Sequence, residues 1–151
     1  MTTITTHQPS ASHTSRRIRR LVTVVTAIVA AVALWAVIVH AAGFDLRTPA
    51  FAKSQTPVAL NVAIVAVVGG LVGFAAWGVL ALLERTTQRP RRVWISVALV
   101  TLVVSLGGPL SGHGVSGANR ALLASLHILV AVILINGLGR TAAVSREIPE
   151  L

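Results

Sequence analysis

Residues 21–42 read LVTVVTAIVAAVALWAVIVHAA and contain no Asp, Glu, Lys or Arg. A helix needs about 20 mostly apolar residues to cross the hydrocarbon core of a bilayer, so this run predicts a membrane-spanning helix. A surface helix of a soluble protein would keep a polar stripe along one face, and this run has none. The apolar core of a cleaved secretion signal is only about 7–15 residues long, which favours an uncleaved span.

Three more runs without charged residues follow in the chain. The whole sequence is 54% hydrophobic and 11% charged, whereas soluble domains are about 25% charged. The third run is short unless it continues through Gly107 and Gly108. We therefore predict four spans at about residues 21–42, 58–83, 93–110 and 121–139.

The predicted fold class is an all-α membrane protein. The four helices should form an antiparallel up-down bundle within a transmembrane domain of residues 21–140, because the predicted connections are short. Residues 1–20 are polar and basic, and we expect a disordered cytoplasmic tail there. Residues 141–151 should form a second, short cytoplasmic tail.

Basic residues indicate the topology. They concentrate before the first span and between the second and third, and only Arg47, Lys53 and Arg120 fall on the other side. Because Lys and Arg mark cytoplasmic loops, both termini should be cytoplasmic. The same residues should attract anionic lipid headgroups, and the two groups are Arg16, Arg17, Arg19, Arg20 and Arg85, Arg89, Arg91, Arg92.

The net charge of +9 does not predict nucleic-acid binding, because the basic residues flank spans and no nucleic-acid-binding module accompanies them. The preference for Arg over Lys in a chain rich in Ala, Val and Gly is typical of a GC-rich bacterial genome. We expect a location in the bacterial cytoplasmic membrane. The absence of cysteine excludes disulfides, thiolate metal sites and iron–sulfur clusters.

Small residues recur on one face of the second span at alternating spacings of four and three, which is typical of a left-handed helix–helix contact. The third span repeats the pattern with Trp94, Ala98, Thr101, Ser105 and Gly108. The short connection between these spans favours a contact of the second with the third. The predicted helix-packing seam comprises Ala59, Ala63, Ala66, Gly70, Gly73 and Ala98.

Polar side chains at membrane depth are costly, so each is a candidate functional residue. One interpretation is an outward-facing pocket that binds a metal or relays protons through histidine. The other is ordinary interhelical hydrogen bonding, which we favour because no dense ligand motif such as HExxH is present. We expect no metal and no cofactor; the candidate pocket residues are His40, Asn61, Thr101, Ser105 and His127.

The fourth span also carries Asn136, nine residues after His127. On a helix of 3.6 residues per turn the two side chains lie on opposite faces. The fourth span should therefore contact protein on two sides.

The stretches RRVWISVALVTLVVSLGGPLSG (91–112) and ALLASLHILVAVILINGLGR (121–140) resemble a group of uncharacterised actinobacterial four-span membrane proteins, a domain of unknown function. The similarity covers roughly residues 18–142. It implies four spans and a location in a bacterial inner membrane, but it carries no known activity over to this chain. The residues that carry it are Trp94, Ser105, Leu106, Pro109, Leu110, Leu126 and His127.

No Walker A loop, GxSxG elbow or membrane-embedded carboxylate pair is present in the sequence. We expect a protein that is not an enzyme and acts by binding, as a scaffold or accessory subunit of a membrane complex. Its partners would be membrane lipids and another membrane protein or further copies of itself. The alternative is a small transporter or channel that works as an oligomer.

Overall fold

The computed structural model describes residues 11–49, 56–111 and 113–142. Four helices account for most of this part of the chain, and a two-stranded antiparallel ribbon, β1 with β2, pairs Arg47 with Ala59 and Thr48 with Val58. The elements are α1 (Ala11–Ala36), a π-helical turn (Val37–Ala41), β1 (Arg47–Thr48), β2 (Val58–Ala59), α2 (Val62–Thr86), α3 (Pro90–Ser111) and α4 (Gly117–Gly139).

All four helices are long and apolar enough to cross a membrane, and the span that starts at Thr14 runs through the π-helical turn to Ala41. The prediction of four helices that are long and apolar enough to span a membrane is confirmed. Many large apolar side chains on their surface are exposed, including those of Leu71, Val103 and Val104 at 67%, 70% and 72%. Such a surface suits lipid rather than water.

The first helix differs from its expected extent. It begins at Ala11, so residues 11–20, predicted to be disordered, are helical. The remainder of the predicted N-terminal tail and the tail after residue 142 lie outside the described residues.

The second helix begins later than expected. Asn61 is its N-cap, with an extended backbone and a side-chain Oδ1 that accepts a hydrogen bond from the Ile64 N–H at 2.9 Å. Asn satisfies one of the free N–H groups of a helix start, which fixes the boundary there. Ala59, predicted to belong to the helix-packing seam, therefore lies in β2 and is exposed.

Helix α1 packs along both α2 and α4, and α4 also packs along α3, whereas α2 and α3 approach each other much less. Helix α4 thus contacts protein on two sides, as predicted, but not through Asn136, which is exposed and bonds to the Val132 carbonyl of its own helix. The predicted main contact between the second and third spans is wrong. One buried cluster joins the four helices through Val24, Ala27, Leu80, Trp94, Leu134 and Leu138.

The glycines of α2 pack against α1 instead. Gly69 and Gly70 face Ile28, and a Cβ atom on Gly73 would come within 2.7 Å of Val24 Cγ1. Lipid tails are as apolar as leucine, so helices in a membrane associate where their backbones fit closely. Of the remaining predicted seam residues on α2, Ala63 is exposed and Ala66 half-buried.

A still closer approach joins α1 to α4. A Cβ atom on Gly137 would overlap Thr23 Cγ2 and lie 2.7 Å from Thr23 Oγ1. Helix α1 is thus held on two sides by backbones that approach it at glycines.

A buried polar contact ties three segments together at one end of the bundle, which we call the arginine end. Arg20, only 5% exposed, forms an ion pair with Glu84 at 2.6 Å and donates to Thr141 Oγ1 at 3.0 Å. Arg20 was predicted to face lipid headgroups. The structure contradicts this, because its guanidinium is directed into the bundle to neutralise Glu84.

Candidate functional site

A cleft of about 630 Å³ lies between α2 and α3, and α4 forms its back wall. On α2 its lining residues include Val68, Val72, Ala75 and Val79, which recur at helical spacing and therefore share one face. The wall on α4 includes Val130. The cleft is lined almost entirely by apolar side chains.

The α3 wall of the cleft is the small-residue pattern that the sequence singled out in the third span. Trp94, Ala98, Thr101, Ser105 and Gly108 all line the cleft. This face was predicted to contact the second span directly. It faces the second span across an open space instead, because α2 is held against α1.

Three of the five candidate pocket residues meet in this cleft: Thr101, Ser105 and His127. Ser105 Oγ donates to the Leu102 carbonyl at 2.8 Å. His127 Nδ1 lies 2.8 Å from the Leu123 carbonyl oxygen. A carbonyl oxygen can only accept, so Nδ1 carries the proton, and in the neutral ring Nε2 is left as an acceptor.

The other two candidates lie elsewhere. His40 is exposed in the π-helical turn, where its ring packs edge-on against Trp35 with centroids 5.7 Å apart. Asn61 is the N-cap of α2, and neither residue lines the cleft. The structure thus divides the predicted polar pocket among the cleft, the π-helical turn and the start of α2.

The β1–β2 ribbon closes the far end of the cleft, which we call the hairpin end, through Thr48 and Pro49. Asn119 at the start of α4 holds the ribbon by two hydrogen bonds to the Arg47 backbone. Its Oδ1 accepts from Arg47 N at 2.9 Å and its Nδ2 donates to Arg47 O at 2.7 Å. Trp35 Nε1 donates to Leu60 O at 2.8 Å and holds the segment between ribbon and α2.

At the arginine end, α3 begins with Pro90, a favoured first helical residue, and Arg91 follows. Arg91 precedes Trp94 by three positions and Ala98 by seven, so it lies on the cleft side of α3. Arg85, Arg89 and Arg92 are exposed around the same connection. Basic side chains are therefore exposed at this end of the bundle, although none of these four arginines lines the cleft itself.

Sequence reasoning missed Asn119 and Gly139, which shape the site, and it named Trp94 only as part of the pattern on the third span. Asn119 is buried and holds the ribbon, but a single Asn in a glycine-rich connection gives no signal of its distant partner. Trp94 is buried, and its Nε1 has no hydrogen-bond partner among the described residues. Gly139 stands beside it, where a Cβ atom would lie 3.5 Å from Trp94 Cδ1. The position of Trp94 at the start of an apolar run was a usable signal.

Within the described part of the chain, no group of three or more His, Asp or Glu residues is close enough to hold a metal ion. The polar atoms of the cleft are few and partly bonded to their own helices.

Four membrane-spanning helices around an apolar cleft define a multi-pass membrane protein. A profile of DUF6069, a family of unknown function, matches residues 11–144, and the chain belongs to this family. The resemblance seen in the third and fourth spans is confirmed at that level. No curated protein and no solved structure matches the chain.

Proposed function

We propose that this protein is a binding subunit of a larger membrane complex. The cleft between α2 and α3 carries the proposal, because it leaves one side of the bundle open while the other contacts are close. Its volume of about 630 Å³ falls within the roughly 300–1,000 Å³ typical of small-molecule sites. Its partners would be membrane lipids and at least one other membrane protein.

The proposed location is the bacterial cytoplasmic membrane, with both termini cytoplasmic and the helices in an antiparallel up-down bundle. Contact of Arg20 with Glu84 and Thr141 supports this arrangement, since it joins the first part of α1 to the ends of α2 and α4. The exposed arginines around residues 85–92 lie at the same end. A high density of arginine is typical of cytoplasmic loops.

We propose a binding role and not an enzymatic one. Ser105 Oγ and His127 Nδ1, two of the few polar atoms around the cleft, are both engaged by carbonyls of their own helices, and no Asp or Glu of the described chain lines the cleft with His127 Nε2. A general acid or base must reach the atom it protonates or deprotonates. The geometry of the cleft supports binding of an apolar partner by complementary shape.

The partner protein would sit across the rim of the cleft. Val104 on α3 is 72% exposed, and Leu71 on α2 is 67% exposed. Both lie about a quarter of a turn from the residues that face the cleft, by helical spacing. A helix laid across these two edges would cover the open side of the bundle.

Native mass spectrometry of the protein, extracted from its own membrane with surrounding lipid, tests the assembly. A complex with a different membrane protein is the expected result. A symmetric homo-oligomer alone would contradict it and support an oligomeric transporter or channel, while a monomer would contradict both.

A pair of tryptophan substitutions tests the surface. Val104→Trp at the rim should dissociate the heterologous partner. Val29→Trp, at a residue of α1 that is 60% exposed, should leave it bound, because a lipid-facing site tolerates a larger apolar side chain. Equal retention of the partner by both variants would show that the rim is not the interface.

A further inference from the structure

Beyond the arginine end of the cleft lie exposed arginines that have no acidic counter-ion among the described residues. Arg91 is exposed and lies on the cleft side of α3, one turn before Trp94. Side chains of a helix tilt toward its N-terminus, so Arg91 extends away from the membrane centre, where a long basic side chain places its charge at the headgroup level. Its guanidinium has no hydrogen-bond or ion-pair partner among the described residues.

The surroundings of Arg91 reinforce the positive charge. Arg85, Arg89 and Arg92 are exposed nearby. Among the described residues of this region, Glu84 is the one acid. It already forms an ion pair with Arg20, at 2.6 Å. An anion at this place would meet uncompensated charge.

The start of α3 adds a backbone contribution. Arg92 N and Val93 N both donate to the Arg89 carbonyl, at 3.1 and 3.2 Å, whereas the Arg91 N–H has no partner among the described residues. The first turn contains no acidic residue. Free N–H groups and the helix dipole favour phosphate at such a position.

The cleft supplies the apolar half of a site. It is lined along α2 from Ile64 to Val79, a distance of about 22 Å at the helical rise of 1.5 Å per residue. That is more than half of the roughly 30 Å hydrocarbon core. An extended acyl chain is a long, narrow, apolar object suited to such a space.

We propose that the α2–α3 cleft is a specific binding site for an anionic phospholipid. The acyl chain fills the cleft, and the phosphate binds the Arg91 guanidinium and N–H with the surrounding arginines. A second copy of the chain or a partner helix would fill the apolar part but leave the arginines without a counter-ion. The proposal rests on the binding role assigned above to the cleft and names its occupant.

Lipid selectivity of the full-length purified protein tests the headgroup contact. Native mass spectrometry with phosphatidylglycerol or phosphatidylcholine of identical acyl chains should show one retained phosphatidylglycerol and weaker phosphatidylcholine. Arg91→Gln should weaken phosphatidylglycerol binding about fivefold, the equivalent of roughly 1 kcal/mol for one arginine near a lipid surface. Arg17→Gln, at an exposed arginine of α1, should leave it unchanged. Equal affinity for both lipids, or an equal effect of both substitutions, would overturn the proposal.

A second pair of variants tests the acyl-chain contact. Ala75 is exposed and lines the cleft, so Ala75→Phe should displace the chain and reduce phosphatidylglycerol retention. Val67→Phe, at a residue of α2 that is 61% exposed and does not line the cleft, should retain it. Retention by Ala75→Phe equal to that of the unsubstituted protein would show that the chain lies elsewhere.

A photo-crosslinking side chain at position 75 identifies the occupant in phosphatidylglycerol-containing vesicles. A lipid adduct supports the proposal, and an adduct with another protein chain overturns it. Because these measurements use the purified chain, their failure would leave the heterologous complex standing. Failure to find a complex would equally leave the lipid site standing.

Discussion

The two sides of the bundle use similar residues for opposite purposes. Where α1 meets α2 and α4, glycines let backbones approach until a single added Cβ atom would collide, as at Gly73 and Gly137. Where α2 faces α3, small residues such as Ala75 and Ala98 line an open cleft. Small side chains therefore permit close packing without causing it.

What distinguishes the two sides is the presence of directional contacts. The close side is fastened at the arginine end by Arg20 with Glu84 and Thr141. At the hairpin end it is fastened by the hydrogen bond from Trp35 to Leu60. The cleft side has no such contact between α2 and α3 among the described hydrogen bonds and ion pairs. Polar contacts at the ends decide which helix faces close.

Arg20→Leu should have the largest effect on stability. It leaves Glu84 partly buried without its cation, and loss of one partner of a buried ion pair costs about 4 kcal/mol. Unfolding in mild detergent, followed by circular dichroism, measures the change. Arg19→Leu, at an exposed neighbouring residue, should change the free energy of unfolding by no more than about 0.5 kcal/mol. Equal effects of the two substitutions would mean that the Arg20–Glu84 ion pair does not contribute to the stability of the fold.

A matched alanine pair compares the two sides directly. Ala27 on α1 is 1% exposed, so Ala27→Leu overfills a packed contact and should cost about 3 kcal/mol. Ala75→Leu extends into the open cleft and should stay within about 0.5 kcal/mol. The same detergent unfolding assay serves for both, and similar losses would show that the cleft is closed in solution.

Gly137→Ala tests the closest backbone approach. The new methyl group would overlap the Thr23 side chain and should destabilise the protein by about 2 kcal/mol through overpacking. Gly78→Ala is the control, because a Cβ atom there has nothing within 4 Å. Alanine should be neutral or favourable at that exposed helical position, since it forms helix better than glycine. A stable Gly137→Ala protein would place α1 and α4 further apart than described.

Asn119→Ala should have an effect no larger than that of Gly137→Ala, and the effect should be local. It removes the two hydrogen bonds to the Arg47 backbone, worth about 1 kcal/mol each when typical. Amide hydrogen exchange at Arg47 should become faster while exchange in α2 stays the same. Asn136→Ala, which removes an amide bonded to its own helix at Val132, should leave the Arg47 exchange rate unchanged. Unaltered exchange in both variants would mean that Asn119 does not hold the ribbon.

Much of the fold could be read from local sequence. The helical spans follow from runs without charge, because an unpaired charge in hydrocarbon is too costly to be common. The two-sided contact of the fourth span was expected from His127 and Asn136, but Asn136 is exposed and bonds to its own helix, so other residues of α4 make that contact. The family likeness followed from short motifs such as the Leu126–His127 pair.

Other features escaped because they depend on partners distant in sequence. Arg20 looked like any other membrane-flanking arginine until Glu84, 64 positions away, was placed beside it. The small-residue face of α2 was predicted to pack on α3, but its glycines pack on α1. The alternating pattern on α2 would fit any neighbouring helix, so the sequence does not say which helix it contacts. Ala59 was assigned to a helix although ribbon pairing with Arg47 keeps it extended.

By itself, the sequence determined that this protein belongs in a membrane, how many spans it has and where its basic charge lies. The reason is that the free energy of moving a segment into hydrocarbon depends on that segment alone. Only the tertiary structure decided that α1 packs on α2 and α4, that Arg20 is buried, and that the face containing Thr101 and Ser105 lines a cleft. In lipid, two apolar helix faces gain no hydrophobic stabilisation by packing together, because lipid tails are equally apolar. Steric fit and a few polar contacts therefore select the arrangement, and both require all the helices to be in place.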